Sequence, residues 1–244
     1  MDNTLLVNLS RQMALSRELD VVANNVANMN TTGFKGDSML FNEYLMLDKS
    51  NGQGAGPKTL STVVDRSTIT NFSAGPIETT GAELDVAIQG NGFFVVQTPQ
   101  GERYTRAGSF TLNAQGELVT QTGDGKVQGT GGALAFSQQD GKISIGSDGT
   151  IFTDQGQHGK LRLVTLKPGD LKKEGEQFFS SKTHPVDDTT SLVLQGAIEK
   201  SNVKPVTEIS RLIEINRAYS TISQIIDRAQ SLRETAIDRL AQAA

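Results

Sequence analysis

The sequence predicts an α+β chain in which N- and C-terminal α-helices pair as a coiled coil around an inserted all-β domain, barrel- or sandwich-like. Two observations predict it. All 25 glycines lie between Gly33 and Gly196, so both ends lack the residue that, proline apart, most weakens a helix. Apolar residues recur at steps of three and four at the ends and of two in the middle, the periods that separate helix from strand.

Residues 1–35 read as the first helix. Leu6, Leu9 and Met13 form one stripe, and Leu15, Leu19, Val22, Val26 and Met29 a second with heptad spacing. Asp2 and Asn3 can accept from the first free amides, and Gly33 suits a left-handed terminator. Asn24, Asn25, Asn28 and Asn30 crowd the helix end despite their poor propensity. Either the helix frays toward a turn there, or the side-chain amides bond to neighbouring subunits and fix their register.

Residues 36–75 read as an extended connector. Met39, Leu40, Phe41, Tyr44, Leu45 and Leu47 give it surface to dock, and the Gly/Ser/Asn/Pro stretch at 48–58 reads as a flexible loop. Residues 76–200 read as the β domain. Leu84, Val86 and Ile88 alternate with Asp85 and Ala87, and Phe93 to Val96 is a short continuous apolar run. Asn91-Gly92, Asp124-Gly125, Asp140-Gly141 and Asp148-Gly149 supply hairpin turn chemistry.

Residues 201–244 read as the second helix, with Pro205 in its first turn, where an amide has no intrahelical acceptor. Leu212, Ile215, Tyr219, Ile222, Ile226 and Ala229 step by three and four, while Ile209, Ile225, Leu232 and Ile237 fall beside that seam. The stripe is wider than one partner helix covers, which predicts lateral association.

Composition removes several function classes. The net charge of −4 has no basic block to follow nucleic acid, and no run of about 18 apolar residues would make an integral membrane protein. The start lacks Lys or Arg before Arg11, so it does not read as a cleaved signal peptide. With no cysteine and only His158 and His184, thiolate zinc, histidine metal sites and His-based triads lack their parts, and no metal or cofactor is expected. Asp124, Asp140 and Asp148 each precede a glycine and are explained by turns; an acid pair of the glycan-processing kind cannot be located from spacing.

Four strings carry a family resemblance. ANNVANMNTTGFK at 23–35 and SNVKPVTEISRLIEINRAYS at 201–220 resemble the terminal signatures of the bacterial flagellar axial proteins, the rod and hook family. TTGAELDVAIQGNGFFVV at 79–96 and YTRAGSF at 104–110 resemble its β core. The opening and the length are most similar to the proximal-rod branch, with the distal-rod branch as the alternative. Lys204 departs from the family, many of whose members carry an acid before Pro-Val.

The resemblance implies a structural subunit, not an enzyme, polymerising through its ends into the periplasmic shaft that carries motor torque to the hook. Partners would be proximal and distal rod subunits, with self-association open, and the flagellar type III export apparatus, through which the chain would pass unfolded without a cleaved signal peptide. Interface candidates are Leu15, Leu19, Val22, Asn24, Asn25, Val26, Asn28, Gly33 and Phe34 at one end, and Leu212, Ile215, Tyr219, Ile222, Ile225, Ile226 and Leu232 at the other. A glycan-binding or glycan-processing β domain on a helical stalk is the reading from another class; its activity would survive in the isolated β domain.

Overall fold

A computed structural model describes residues 2–47, 59–137 and 139–242. The chain divides into two compact units: residues 1–27, 37–71 and 204–244 form one, and residues 28–36 and 72–203 the other.

In the first unit, α1 (Asp2–Ala27) and α2 (Pro205–Gln242) lie side by side. The Arg211 guanidinium donates to Glu18 at 2.7 Å, Gln12 donates to Ser223 at 3.2 Å, and Asn25 donates to Glu208 at 3.4 Å. As the α1 number rises the α2 number falls, so the helices run antiparallel. At 1.5 Å per residue α1 is about 39 Å long and α2 about 57 Å. β1 (Asp37–Leu47) and β2 (Thr59–Thr70), within the stretch read as a connector, pair antiparallel, with a register shift between Leu40 and Phe41. The loop expected at 48–58 lies outside the described residues.

The first helix ends at Ala27, short of Met29. Gly33 does have positive φ, 68°, but it sits six residues beyond that end. Its role is close approach: a Cβ there would collide with the backbone of Arg106 and Ala107, all within the second unit.

The second unit is built on a ten-stranded sheet. After the short β3 (Ile77–Thr79) and β4 (Val86–Gln89), its heart is β5 (Phe93–Thr98), which pairs with β6 (Gly101–Thr105), with Lys126–Gly129 and with Leu163–Thr165. The four apolar residues opening β5 are buried on both faces. Phe94 and Val96 point into the larger core with Phe110, Val127 and Ile151, while Phe93 and Val95 face a smaller one with Tyr104, Val164 and Phe179. An unbroken apolar run, where strand residues usually alternate, is what a doubly covered strand needs.

Of the barrel- or sandwich-like forms expected, a closed barrel does not form: among the described residues the sheet is open, with three smaller sheets in this unit. Its strands are mostly of two to six residues and branch at β5, so no uniform stagger runs around a ring, as closure would require.

Candidate assembly site

The helix pair is the first place to look for assembly surface. On α1 the inward stripe runs Ala14, Glu18, Val22, Asn25, with Ala14, Val22 and Asn25 buried and Glu18 half-buried against Arg211. Leu15, Leu19 and Val26 flank it, half-buried, and Leu9 and Met13 are exposed. Val22 is common to this stripe and the expected one, but two of the four inward positions are polar, so a search for apolar residues picks Leu15, Leu19 and Val26 where Ala14, Glu18 and Asn25 face inward. On α2, Ile215 and Ile222 are buried and Leu212, Tyr219 and Ile226 half-buried, while Ile225 is exposed. From Ser231 to Ala241 every residue is exposed, with Leu232 at 71%, Ile237 at 65% and Leu240 at 72%.

The asparagines divide. Asn24 is exposed. Asn25 bonds within its own chain: its side-chain oxygen accepts from the Asp37 amide at 2.9 Å and its nitrogen donates to the Asp37 carbonyl at 2.8 Å. Asn28, also buried, accepts from the Thr31 hydroxyl at 3.0 Å. The bonds that these two make are within the chain. Burial explains them, since a side-chain amide out of water must be paired and the nearest partners are local.

The rest of the N-terminal signature belongs to the second unit. Phe34 is fully buried, with the Lys173 ammonium 3.8 Å from its ring centroid. Next to it, Lys35 is fully buried and donates to Glu199 at 2.6 Å and to the Ser73 carbonyl at 2.8 Å. Arg106 reaches the other Glu199 oxygen at 3.3 Å and the Gly90 carbonyl at 2.7 Å, its guanidinium 4.9 Å from the Phe93 ring centroid. Desolvation holds the pKa of both Lys35 and Arg106 below their ordinary values, against the pull of Glu199. Sequence reading missed this cluster. The available signal was that Lys35 and Arg106 sit inside the two strings FK and YTRAGSF, among residues otherwise suited to burial.

Among the described residues no set of three acids or histidines could hold a metal ion. A groove of about 370 Å³ is lined by Asp148, Lys160, Arg162, Asp187, Asp188 and Ser191, among others. Its acids are already engaged. Asp148 is lowered to about 2 by hydrogen bonds from the Thr150 hydroxyl and amide. For Asp188 desolvation pushes upward, yet bonds from Ser191 and Thr190 together hold it well below its ordinary value. His158 stacks on Phe136 and its Nε2 lies 2.7 Å from the Ala135 carbonyl oxygen, and His184 is exposed.

Residues 5–35 match the family described as flagella basal body rod protein, residues 87–156 the flagellar hook protein FlgE/F/G D1 domain, and residues 194–239 the flagellar basal body rod FlgEFG protein C-terminal family. The chain is 41% identical to the flagellar basal-body rod protein FlgF of Caulobacter vibrioides, the alignment covering 98% of each chain. It is 32% identical to the FlgF protein of Mesorhizobium japonicum over 98% of each, and 30% identical to the FlgG protein of Bacillus subtilis over 96% of this chain and 98% of that one.

Proposed function

The chain belongs to the flagellar basal-body rod protein family, and from that premise we propose that α1 and α2 are the ends through which it polymerises into the proximal rod. It is a structural subunit with no catalytic step. Relatives named FlgF resemble it more closely than those named FlgG, which favours the proximal over the distal position.

The observation that carries the polymerising role is the apolar surface that α2 leaves exposed: Ile225, Leu232, Ile237 and Leu240. A monomer seldom leaves such a row in water. In the rod these residues, together with Leu15, Leu19, Val26, Leu212, Tyr219 and Ile226, bury against helices of neighbouring subunits, and the antiparallel pair winds as a coiled coil. Residues 1–35 and 201–244 make the assembly ends, residues 36–75 the connector between them and the wall, and residues 76–200 the wall itself. Partners are proximal and distal rod subunits, further copies of this chain, and the export apparatus.

The subunit works in the periplasmic section of the basal body, having crossed unfolded and without a cleaved signal peptide; a chain with no cysteine makes no disulfide to obstruct that passage. Deleting residues 206–244 is the test. Loss of incorporation into purified basal bodies and of swimming is expected, and a deletion strain that swims normally would overturn the assignment.

A further inference from the structure

Lys35, Arg106 and Glu199 lie in one compact unit, the one that contains neither α1 nor α2. Their side chains are between 0% and 3% exposed. One carboxylate collects three donors from remote parts of the chain: the Lys35 ammonium, the Arg106 guanidinium and the Gly75 amide, the last at 2.8 Å. The neighbouring backbone is equally committed. The Gly33 amide donates to the Glu199 carbonyl at 2.7 Å, the Gly36 amide to the Asn202 side chain at 2.8 Å, and Lys173 to the Lys35 carbonyl at 2.9 Å.

We propose that Lys35, Glu199 and Arg106 are a lock that makes residues 28–36 an ordered strut of the β unit in the free subunit, before any neighbour binds. A buried ion pair adds little over an apolar replacement, but removing one partner strands the other charges and costs heavily. The cluster therefore selects one arrangement of the segment. Lys35 and Glu199 are 164 residues apart, so the strut closes only when the strand ending at Glu199 has arrived. Until then Lys35 lacks its counter-ion, and burying it alone is prohibitive. The lock concerns the monomer, so its failure would leave the rod assignment standing.

Hydrogen exchange followed by mass spectrometry on the full-length monomer tests it. Peptides covering residues 28–36 are expected to exchange as slowly as those of β5, and an amine-reactive label should modify Lys35 far less than the exposed Lys182 and Lys204. Exchange of 28–36 at the rate of unstructured chain, or labelling of Lys35 as fast as those two, would overturn the proposal. Glu199→Gln should speed exchange at 33 and 36 by about 100-fold or more; unchanged protection in that variant would equally sink the lock. If the variant does not fold, exchange and labelling of the unaltered chain still decide.

Discussion

Asn25 takes the place of a strand beside Asp37. Its side-chain amide accepts from the Asp37 N–H and donates to the Asp37 carbonyl, at 2.9 and 2.8 Å. In an extended strand those two groups point the same way, so one primary amide satisfies both, as a neighbouring strand would. Asp37 opens β1 opposite Thr70, whose hydroxyl donates to its carboxylate at 2.6 Å. The start of the hairpin is thereby tied to α1 within one unit.

Asn25→Ala removes both of these bonds to the Asp37 backbone and is expected to destabilise that unit by about 2 kcal/mol. Asn25→Asp keeps an acceptor but sets a carboxylate against the Asp37 carbonyl and Glu208, so it should cost more than the alanine. Urea denaturation read by α-helical circular dichroism checks both. An aspartate variant as stable as the original would contradict the bonding described.

The same logic separates two glycines with positive φ. At Gly33 a side chain meets left-handed strain and the backbone of Arg106 and Ala107; at Gly81, φ 74°, it meets open space. Gly33→Ala should cost about 3 kcal/mol and Gly81→Ala about 1 kcal/mol. Thermal melts of the two variants give the ranking.

The charge cluster predicts a reversal on full replacement. Glu199→Gln alone removes the charge to which the buried Lys35 and Arg106 both bond and is expected to lose about 3 to 5 kcal/mol. The triple variant Lys35→Met, Arg106→Met, Glu199→Leu removes every charge together and should recover most of that loss. A triple variant worse than the single one would mean that the neighbouring backbone bonds depend on the ions themselves.

Acid should weaken the β unit. Asp148 and Asp188 are held below the ordinary 3.8, so the unfolded chain binds protons more readily than the folded one. The stabilisation is present above pH 4 or so and is lost as pH falls through the depressed folded values. Asp188→Asn should flatten the fall of the melting temperature below about pH 4. Melting curves across that range check it.

What could be read in advance depended on how local its cause is. The run Phe93–Val96 announces a strand buried on both sides because the signal lies within four residues. Asp140-Gly141 and Asp148-Gly149 give turns with positive φ where expected; at the other two sites the positive φ falls on Gly90 and Gly123 in place of Gly92 and Gly125. At those two latter glycines a Cβ would press on the Asp188 carboxylate in one case and Val96 in the other. The pairing of Lys35 with Glu199 was illegible. Charged residues are read as exposed by default, and a partner 164 residues away leaves no trace in spacing. The inward stripe of α1 was displaced for a related reason: Glu18 and Asn25 occupy it as polar residues whose partners lie on other elements.

The open end of α2 gives the sharpest test of function against stability. Leu232, Ile237 and Leu240 are 71%, 65% and 72% exposed, so replacing them removes little that the folded subunit buries. Leu232→Asp with Ile237→Asp should change the stability of the free subunit by no more than about 0.5 kcal/mol. If these residues bury against neighbours in the rod, two carboxylates in that contact would be desolvated without partners and incorporation should fail. Soluble, folded variant subunits absent from purified basal bodies are the expected result. Normal incorporation would place the polymerising surface elsewhere, with the half-buried flank of Leu15, Leu19 and Val26 the next to be altered.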